Sequence, residues 1–374
     1  MKKLIIATST PLASIFGSGF LVIVPVLHGA VGKYAVLAMV GVCVLAYCVG
    51  HAIRFNIRHA EPLLEKDEAS RRTKRLERSS DLALVGAYVI SVCLYINILA
   101  SFLLGGLSKQ ADTPFNKHLL TAAIILGIAV FAYFKGLKML ERLEAVGLWV
   151  SLLIVVLMFV GFGVFDLEAA ASGIHWPRTP RRSWWEILTI LGGTLIVVQG
   201  FETSRYLGEQ YDEATRIQSC RLSQIISSVV YIVFVALATP LMYHLTRPVK
   251  DNELIVLAGQ ASVYLPIPLV CAAVLSQFSA ALADTLGGSG NVVEATHEHV
   301  SALHANLLIC AGALVLAFFP TLTILALASR AFAFYYMLQC LIAFSLSKTL
   351  FQKIFFLLIA LVLAFITLFA VPVE

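Results

Sequence analysis

Apolar side chains fill long runs of this chain, and charged residues gather between the runs. Most runs reach about 20 residues, the length that an α-helix needs to cross a bilayer. The pattern therefore predicts an all-α polytopic membrane protein with about eleven transmembrane helices. Their expected ranges are 10–30, 34–54, 82–105, 118–135, 145–165, 185–207, 222–245, 266–293, 305–319, 321–346 and 352–372.

Composition supports a membrane location and excludes other classes of protein. Of the 374 residues, 59% are hydrophobic and 13% are charged, whereas soluble domains carry about 25% charged residues. A soluble catalytic domain or a nucleic-acid-binding module is therefore not expected, and the net charge of +5 is explained by loops. We also find no nucleophile–base pair or metal-ligand spacing, so we predict neither an enzyme nor a resident cofactor or metal.

The distribution of basic residues predicts the orientation in the membrane. With the N-terminus in the cytoplasm, cytoplasmic segments hold 18 of the 27 Lys and Arg residues and outer loops hold 8. Because cytoplasmic loops are enriched in Lys and Arg, we expect a multi-pass protein of the inner (plasma) membrane. After eleven helices the C-terminus would lie outside. The stretch of about 55–81 is expected to be a solvated cytoplasmic helix-loop.

Three charged residues lie well inside predicted helices, where charge is costly and often functional. Glu202 and Asp284 each follow the outer end of their helix by 18 residues, which is a depth of about 27 Å at 1.5 Å per residue. Both could approach one pathway in the cytoplasmic half and carry a proton, although Glu202 could instead pair with Arg205. Arg330, in the outer half of helix ten, is a candidate gate or a structural ion-pair partner.

Glycines form a second unusual pattern. Gly17-Ser18-Gly19 lies in predicted helix one, and Gly200-Phe201-Glu202-Thr203 lies in predicted helix six. Glycine alone is common in membrane helices as a packing residue. Here, however, the two patches are five helices apart and so lie on helices of opposite direction, as an inverted repeat requires. Interrupted helices at corresponding positions of two halves indicate a transporter binding site.

At these residues the sequence resembles the amino acid–polyamine–organocation (APC) superfamily, which has the LeuT-type fold. Residues 15–20, Ile-Phe-Gly-Ser-Gly-Phe, are similar to the helix-one motif of that family, and 198–203, Val-Gln-Gly-Phe-Glu-Thr, to its helix-six motif. The Gly-Glu-Gln of 208–210 follows as in the family, 135–138 resembles its basic turn before helix five, and 275–279 its small polar stretch of helix eight.

The resemblance implies a five-plus-five inverted repeat, with repeat one at about 10–166, repeat two at about 184–347 and an added helix eleven at about 351–372. It also implies a substrate site between broken helices one and six. The expected substrate-binding residues are Gly17, Ser18, Gly19, Gly200, Phe201, Thr203, Tyr95 and Ser276. The expected ion-coupling residues are Glu202, Asp284 and Ser279, and Arg330 is the expected gate.

Predicted helix three carries four polar residues that could face the substrate site: Tyr88, Ser91, Tyr95 and Asn97. The rotation of the helix determines which of them do. Ser151 stands where many proton-coupled members of the family have lysine. Ser276 is followed by Gln277, whereas sodium-coupled members often have two adjacent hydroxyl residues. Neither coupling pattern is complete.

We therefore hypothesise a secondary transporter of an amino acid or related amine, working by alternating access and coupled to H⁺. A sodium-coupled symporter of the same fold is one alternative, and a non-transporting membrane sensor with the same pocket is another. The expected partners are a small-molecule substrate and the lipid bilayer, without nucleic acid.

Overall fold

A computed structural model describes residues 2–108, 110–135, 142–245, 248–296 and 298–373. Within these ranges the chain is helical, without strands. The α-helices are α1 Lys2–Val31, α2 Ala35–His59, α3 Glu61–Glu65, α4 Arg71–Leu107, α5 Pro114–Lys135, α6 Arg142–Ser172, α7 Trp184–Gly192, α8 Glu213–Leu241, α9 Leu254–Ala261, α10 Pro266–Ala295, α11 Ala302–Leu316, α12 Thr321–Leu346 and α13 Leu350–Phe369.

The predicted all-α membrane fold is confirmed. Each of the predicted apolar segments coincides with a helical element, and within the described residues eight helical stretches are long and apolar enough to cross a membrane. The first of these, Gly19–Glu65, joins the end of α1 to α2 and α3, while Ala302–Leu316 is a shorter apolar helix. The sixth segment is interrupted after α7. We use the name helix six for all of residues 184–207.

Much of the segment 55–81, expected to be a solvated cytoplasmic helix-loop, is helical. Helix α2 continues to His59, and α4 already begins at Arg71, where the Ser70 hydroxyl caps it by accepting a hydrogen bond from the Thr73 amide. Hydropathy marks where a helix leaves the hydrocarbon and does not mark where the helix ends. At 37 residues and about 1.5 Å per residue, α4 is much longer than the bilayer is thick.

Two helices form the centre of the bundle. Helix α1 contacts α6, α8, α10 and the interrupted part of helix six, and α4 packs against α10 and α12. The hydrophobic core runs through these elements and includes the fully buried side chains of Tyr95, Phe102, Phe234 and Phe332. Residues of α1 and helix six are therefore held at the middle of the protein.

Several contacts join helices that occupy the same position in the two halves of the chain. Helix α2 packs against α8, α4 against α10, and α5 against α11, while α1 contacts the 3-10 segments of helix six. The short helices follow the same order, because α3 comes after the second membrane segment of the first half and α9 after that of the second half.

Candidate functional site

Helix six loses its α-helical hydrogen bonding at its middle. Helix α7 begins with a capping box, in which the Ser183 hydroxyl accepts from the Glu186 amide and the Glu186 carboxylate accepts from the Ser183 amide. The chain then forms a 3-10 segment at Leu195–Val198, a left-handed turn at Gly200 with φ of 120°, and a second 3-10 segment at Phe201–Leu207. The predicted break in helix six is present.

A side chain of α12 satisfies two of the main-chain groups that this break frees. The Ser329 hydroxyl of α12 accepts from the Ile196 amide at 3.1 Å and donates to the Gly193 carbonyl at 2.7 Å. Irregular backbone at membrane depth is tolerated only when it has such partners or borders a cavity. The fold therefore stabilises the break in helix six through hydrogen bonds from Ser329.

Glycine allows helix six and α1 to touch backbone to backbone. A Cβ at Gly200 would lie 2.6 Å from the Ser14 hydroxyl and 2.7 Å from the Ile15 amide nitrogen, and one at Gly19 would lie 2.8 Å from the Val197 Cα. Real Cβ contacts are not that short. Gly19 and Gly200 thus act as packing residues at the crossing of the two elements.

Helix α1 is not broken, contrary to the expectation from its Gly-Ser-Gly motif. It runs without interruption from Lys2 to Val31, through Gly17 and Gly19. Glycine permits a break but does not force one, and here the glycines serve the close approach to helix six. The Ser18 side chain lies outside the described part of the chain, as do residues 136–138 of the expected basic turn.

Carbonyls of α1 nevertheless receive hydrogen bonds from neighbouring helices. The Gln277 amide of α10 donates to the Gly17 carbonyl at 2.7 Å, and the Tyr231 hydroxyl of α8 donates to the Ile15 carbonyl at 3.0 Å. Gln277, which replaces the second hydroxyl of the sodium-coupled pattern, therefore ties α10 to α1.

A cavity of about 500 Å³ lies beside this crossing, enclosed by α1, α4, α6, α10 and the second half of helix six. Its polar lining residues are Thr10, Ser14, Tyr88, Tyr95, Ser151, Thr203, Tyr206, Ser276, Ser279, Asp284, Asn291 and Glu294. The volume is within the range of small-molecule sites, about 300–1,000 Å³. This is the candidate substrate site.

The cavity is acidic. Asp284 and Glu294 line it, whereas no Lys, Arg or His is among its described lining residues. Asp284 is buried and accepts a hydrogen bond from the Ser91 hydroxyl of α4. A ligand with positive charge is thus electrostatically favoured over an anion, because opposite charges attract strongly where water is scarce.

The cavity opens on one face of the protein. Its lining changes from buried residues at mid-depth, such as Tyr95 and Ser276, to the exposed Gly290 and Glu294 near the end of α10. That is the face on which α1 begins and α10 ends.

A polar network lies beyond the opposite end of α4. The Lys117 ammonium of α5 contacts the Asp112 and Asp251 carboxylates, each at 3.0 Å, and Asp251 also accepts from the Ser101 hydroxyl at 2.6 Å. The Asn252 amide donates to the Ser101 carbonyl at 3.1 Å. The network joins α4 and α5 to the segment that leads into α9, and it holds that side together.

The structure brings six of the expected site residues to the cavity and leaves others outside it. Gly17, Tyr95, Thr203, Ser276, Ser279 and Asp284 line the cavity. Gly19, Gly200, Phe201 and Glu202 belong to the contact of helix six with its neighbours and are not among the described lining residues. The two embedded acids therefore occupy different environments.

Glu202 is fully buried behind helix six. Its carboxyl accepts a hydrogen bond from the Tyr336 hydroxyl at 2.6 Å and one from the Gly200 amide at 2.9 Å. The Phe201 ring stacks on Tyr336, with ring centroids 5.2 Å apart. Glu202 thus fastens the turn at Gly200 to α12.

Arg205 does not pair with Glu202, which was the alternative that the sequence left open. Its guanidinium binds Glu61 of α3 at 3.1 Å and Glu77 of α4 at 2.6 Å, and Arg216 of α8 also binds Glu61 at 2.7 Å. Part of the segment expected to be a solvated helix-loop is therefore bound to the C-terminal end of helix six.

Arg330 lies against the end of α13, away from the cavity lining. Its guanidinium donates to the main-chain carbonyls of Thr367 at 2.7 Å and Leu368 at 3.2 Å. Carbonyls in the last turn of a helix lack intrahelical partners, and basic side chains commonly bind there.

The sequence did not single out several cavity residues. Ser14, Tyr206, Asn291 and Glu294 line the cavity, and a helical repeat from Asp284 to Asn291 could have indicated the last two, since seven residues are two helical turns. On α4, Tyr88 and Tyr95 line the cavity, whereas the Asn97 amide donates to the Cys93 carbonyl of its own helix.

The fold and the site define a polytopic helical membrane protein with an interrupted helix beside an acidic cavity. A family profile described as "APC superfamily transporter" matches residues 1–370. The chain is also 38% identical to an uncharacterised protein of Aquifex aeolicus (strain VF5) over 388 aligned positions, covering 100% of this chain and 92% of the relative. This chain belongs to the APC superfamily of transporters.

Proposed function

We propose that the protein is a secondary transporter of a small amine, which includes amino acids, and that its substrate binds in the cavity beside helix six. The observation that carries this proposal is the position of Asp284, a buried carboxylate that lines the cavity between α10 and α4. The substrate's ammonium group would bind this carboxylate. Family membership supports transport, and the acidic lining supports the class of substrate.

The polar neighbours of Asp284 suit a small hydrogen-bonding ligand. Ser276 and Ser279 lie two turns and about one and a half turns before it on α10, and Thr203 faces the cavity from helix six. The Thr203 hydroxyl already donates to the Gly200 carbonyl at 2.7 Å, so it would accept from a ligand. Tyr88 and Tyr95 offer aromatic faces, to which ammonium groups are attracted.

We propose alternating access between two halves related by an inverted repeat. The pairing of α2 with α8, α4 with α10 and α5 with α11 supports such a repeat. With the N-terminus in the cytoplasm, the cavity faces the cytoplasm, and the Lys117 network closes the outer side. Transport then requires helix six and α1 to move together, because they meet at Gly19 and Gly200.

We propose H⁺ as the coupling ion and Asp284 as its carrier. A cavity carboxylate can hold either a proton or the substrate's ammonium group, so binding of one would release the other. Glu202 lacks contact with the cavity in this conformation and would act by holding the turn of helix six. A sodium-coupled mechanism would instead use hydroxyl oxygens such as those of Ser276 and Ser279, since Na⁺ accepts oxygen ligands.

Purified protein in liposomes tests the proposal. We expect an imposed pH gradient to drive the uptake of a radiolabelled amine or amino acid, found first by screening for ligands that raise the Tm. Asp284→Asn should abolish proton-driven uptake, whereas Glu168→Gln, at the outer end of α6 and away from the cavity lining, should not.

Other outcomes separate the alternatives. Uptake that depends on a sodium gradient and not on a pH gradient would show that the coupling ion is Na⁺ and not H⁺. Binding of the ligand without any flux would favour a sensor. Unchanged binding in Ser279→Leu and Thr203→Val would place the substrate outside this cavity.

A further inference from the structure

A second large concavity borders the first half of helix six, whereas the candidate substrate site borders the second half. It has a volume of about 790 Å³ and is formed by α2, α7 and α13, with contributions from the end of α1 and the segment before α7. Its lining is mostly apolar and includes Leu37, Gly41, Leu45, Leu188, Leu195 and Phe365. Within the described residues it shares no lining residue with the candidate substrate site.

The length of this groove matches one leaflet of the bilayer. Its lining runs from Tyr34 to Leu45 on α2 and from Trp184 to Leu195 on helix six. Each path covers eleven steps between successive residues, which is roughly 16 Å at 1.5 Å per residue. The hydrocarbon core of a bilayer is about 30 Å thick, so the groove accommodates an acyl chain from its carboxyl end to near its tip.

The mouth of the groove has the residues of a membrane interface and a positive charge. Tyr34 and Trp184 are exposed there, and aromatic residues of this kind sit at headgroup level. Basic residues are their neighbours in the chain: Lys33 precedes Tyr34, and Arg178, Arg181 and Arg182 precede Trp184. Of these, Arg182 lines the groove and also donates to the Gly29 carbonyl at 3.1 Å. The acid of this segment, Glu186, already accepts two hydrogen bonds from Ser183. Such a mouth is complementary to a phosphate group.

We propose that the groove binds one acyl chain of an anionic phospholipid, whose phosphate lies between Lys33 and the basic segment 178–182. The far end of the chain would lie against Gly192 and Leu195, where helix six loses its α-helical form. A bound lipid would therefore support the first half of helix six, whereas the substrate cavity borders its second half. Lipid binding and substrate binding would act on the same moving element.

Glycine at position 41 allows a direct test. A Cβ added at Gly41 would meet no atom within 4 Å, and Gly41 lines the groove, so Gly41→Phe directs a ring into the groove. Gly127→Phe on α5 is the matched control, because it also adds a ring at an open glycine, outside the groove. Ala38→Phe is a second filling variant in case Gly41→Phe fails to fold.

The measurement is native mass spectrometry of the purified full chain with phosphatidylglycerol or phosphatidylcholine of identical acyl chains. We expect one phosphatidylglycerol to be retained by the unchanged protein and by Gly127→Phe, with at least about tenfold weaker retention in Gly41→Phe, since each buried methylene adds to lipid affinity. Lys33→Gln should weaken retention of phosphatidylglycerol, and the exposed Lys353→Gln should not.

Three results would overturn the proposal. One is equal retention of lipid in Gly41→Phe and Gly127→Phe, and another is equal retention of the two lipids by the unchanged protein. The third is a dimer that Gly41→Phe dissociates, because a second copy of the chain would then cover the groove. None of these readouts depends on transport, so they leave the proposed function untouched.

Discussion

The Tyr336 hydroxyl donates a hydrogen bond of 2.6 Å to the Glu202 carboxyl, and both residues are buried. The same carboxyl oxygen accepts from the Gly200 amide at 2.9 Å. One acidic group thus joins α12 to the main chain at the break in helix six. The main-chain amide of Gly200 would otherwise lack a partner, since a left-handed residue cannot continue a helix.

Tyr336→Phe tests this connection. The phenyl ring still stacks on Phe201, but a buried acceptor loses its donor, which costs about 1–3 kcal/mol. We expect a lower Tm in detergent, measured by intrinsic fluorescence. Tyr231→Phe is the matched control, because its hydroxyl binds a main-chain carbonyl at 3.0 Å and not a carboxyl group. A loss no larger than that of the control would contradict the proposed role of Glu202.

Arg205→Gln is expected to destabilise the C-terminal end of helix six. It would leave Glu77 without its 2.6 Å partner and Glu61 with only Arg216. Breaking a buried ion pair costs about 3–5 kcal/mol, much of it from the charge left behind. Chemical unfolding should therefore show a large loss in Arg205→Gln and a partial recovery in the double variant Arg205→Gln, Glu77→Gln. If the second substitution recovers nothing, the pair does not stabilise this end.

The sequence predicted the helices well because a segment that crosses the hydrocarbon core must be apolar over about 20 residues. It also identified the break in helix six and the cavity residue Asp284, since an acid and a glycine patch within an apolar run are costly and therefore informative. Glu202 and Asp284 looked equivalent by depth. Whether each acid faces the cavity depends on the rotation of its helix about the helix axis. Depth in the membrane does not determine that rotation.

The break predicted in α1 shows a second limit of sequence reasoning. Gly17 and Gly19 fit a broken helix and a tightly packed continuous helix equally well. What distinguishes the two forms is the contact of Gly19 with Val197, which belongs to a distant segment of the chain. The ion pairs of Arg205 with Glu61 and Glu77 were also hidden, because residues far apart in the chain meet there only after the bundle forms.

Gly200→Ala should destabilise the protein strongly. At φ of 120° a side chain is strained, and its Cβ would lie 2.6 Å from the Ser14 hydroxyl. Strain of this kind costs on the order of 1–3 kcal/mol before the clash is counted. Gly163→Ala is the control, because it lies inside α6 with no atom within 4 Å of the added Cβ, and helix propensity favours alanine there. We expect a lower Tm for Gly200→Ala and an unchanged or higher one for Gly163→Ala. Equal Tm values in the two variants would argue against the tight crossing.

Glu253, which precedes α9 on the side of the Lys117 network, should make stability depend on pH. Burial raises the pKa of its carboxyl from 4.5 to about 7, and the nearby Asp251 adds to the rise while Lys250 opposes it. The folded state therefore holds a proton that the unfolded state has already lost between about pH 4.5 and pH 7.

Because the folded state binds more protons in that window, its stability falls as the pH rises through it. The fall is on the order of 3 kcal/mol for a rise of this size, at about 1.4 kcal/mol per pH unit. Tm measured from pH 4.5 to pH 8 should thus decline in the unchanged protein. Glu253→Gln, which stays neutral throughout, should remove this decline and give a higher Tm at pH 8. A Glu253→Gln protein with the same slope as the unchanged protein would assign the pH dependence to another group.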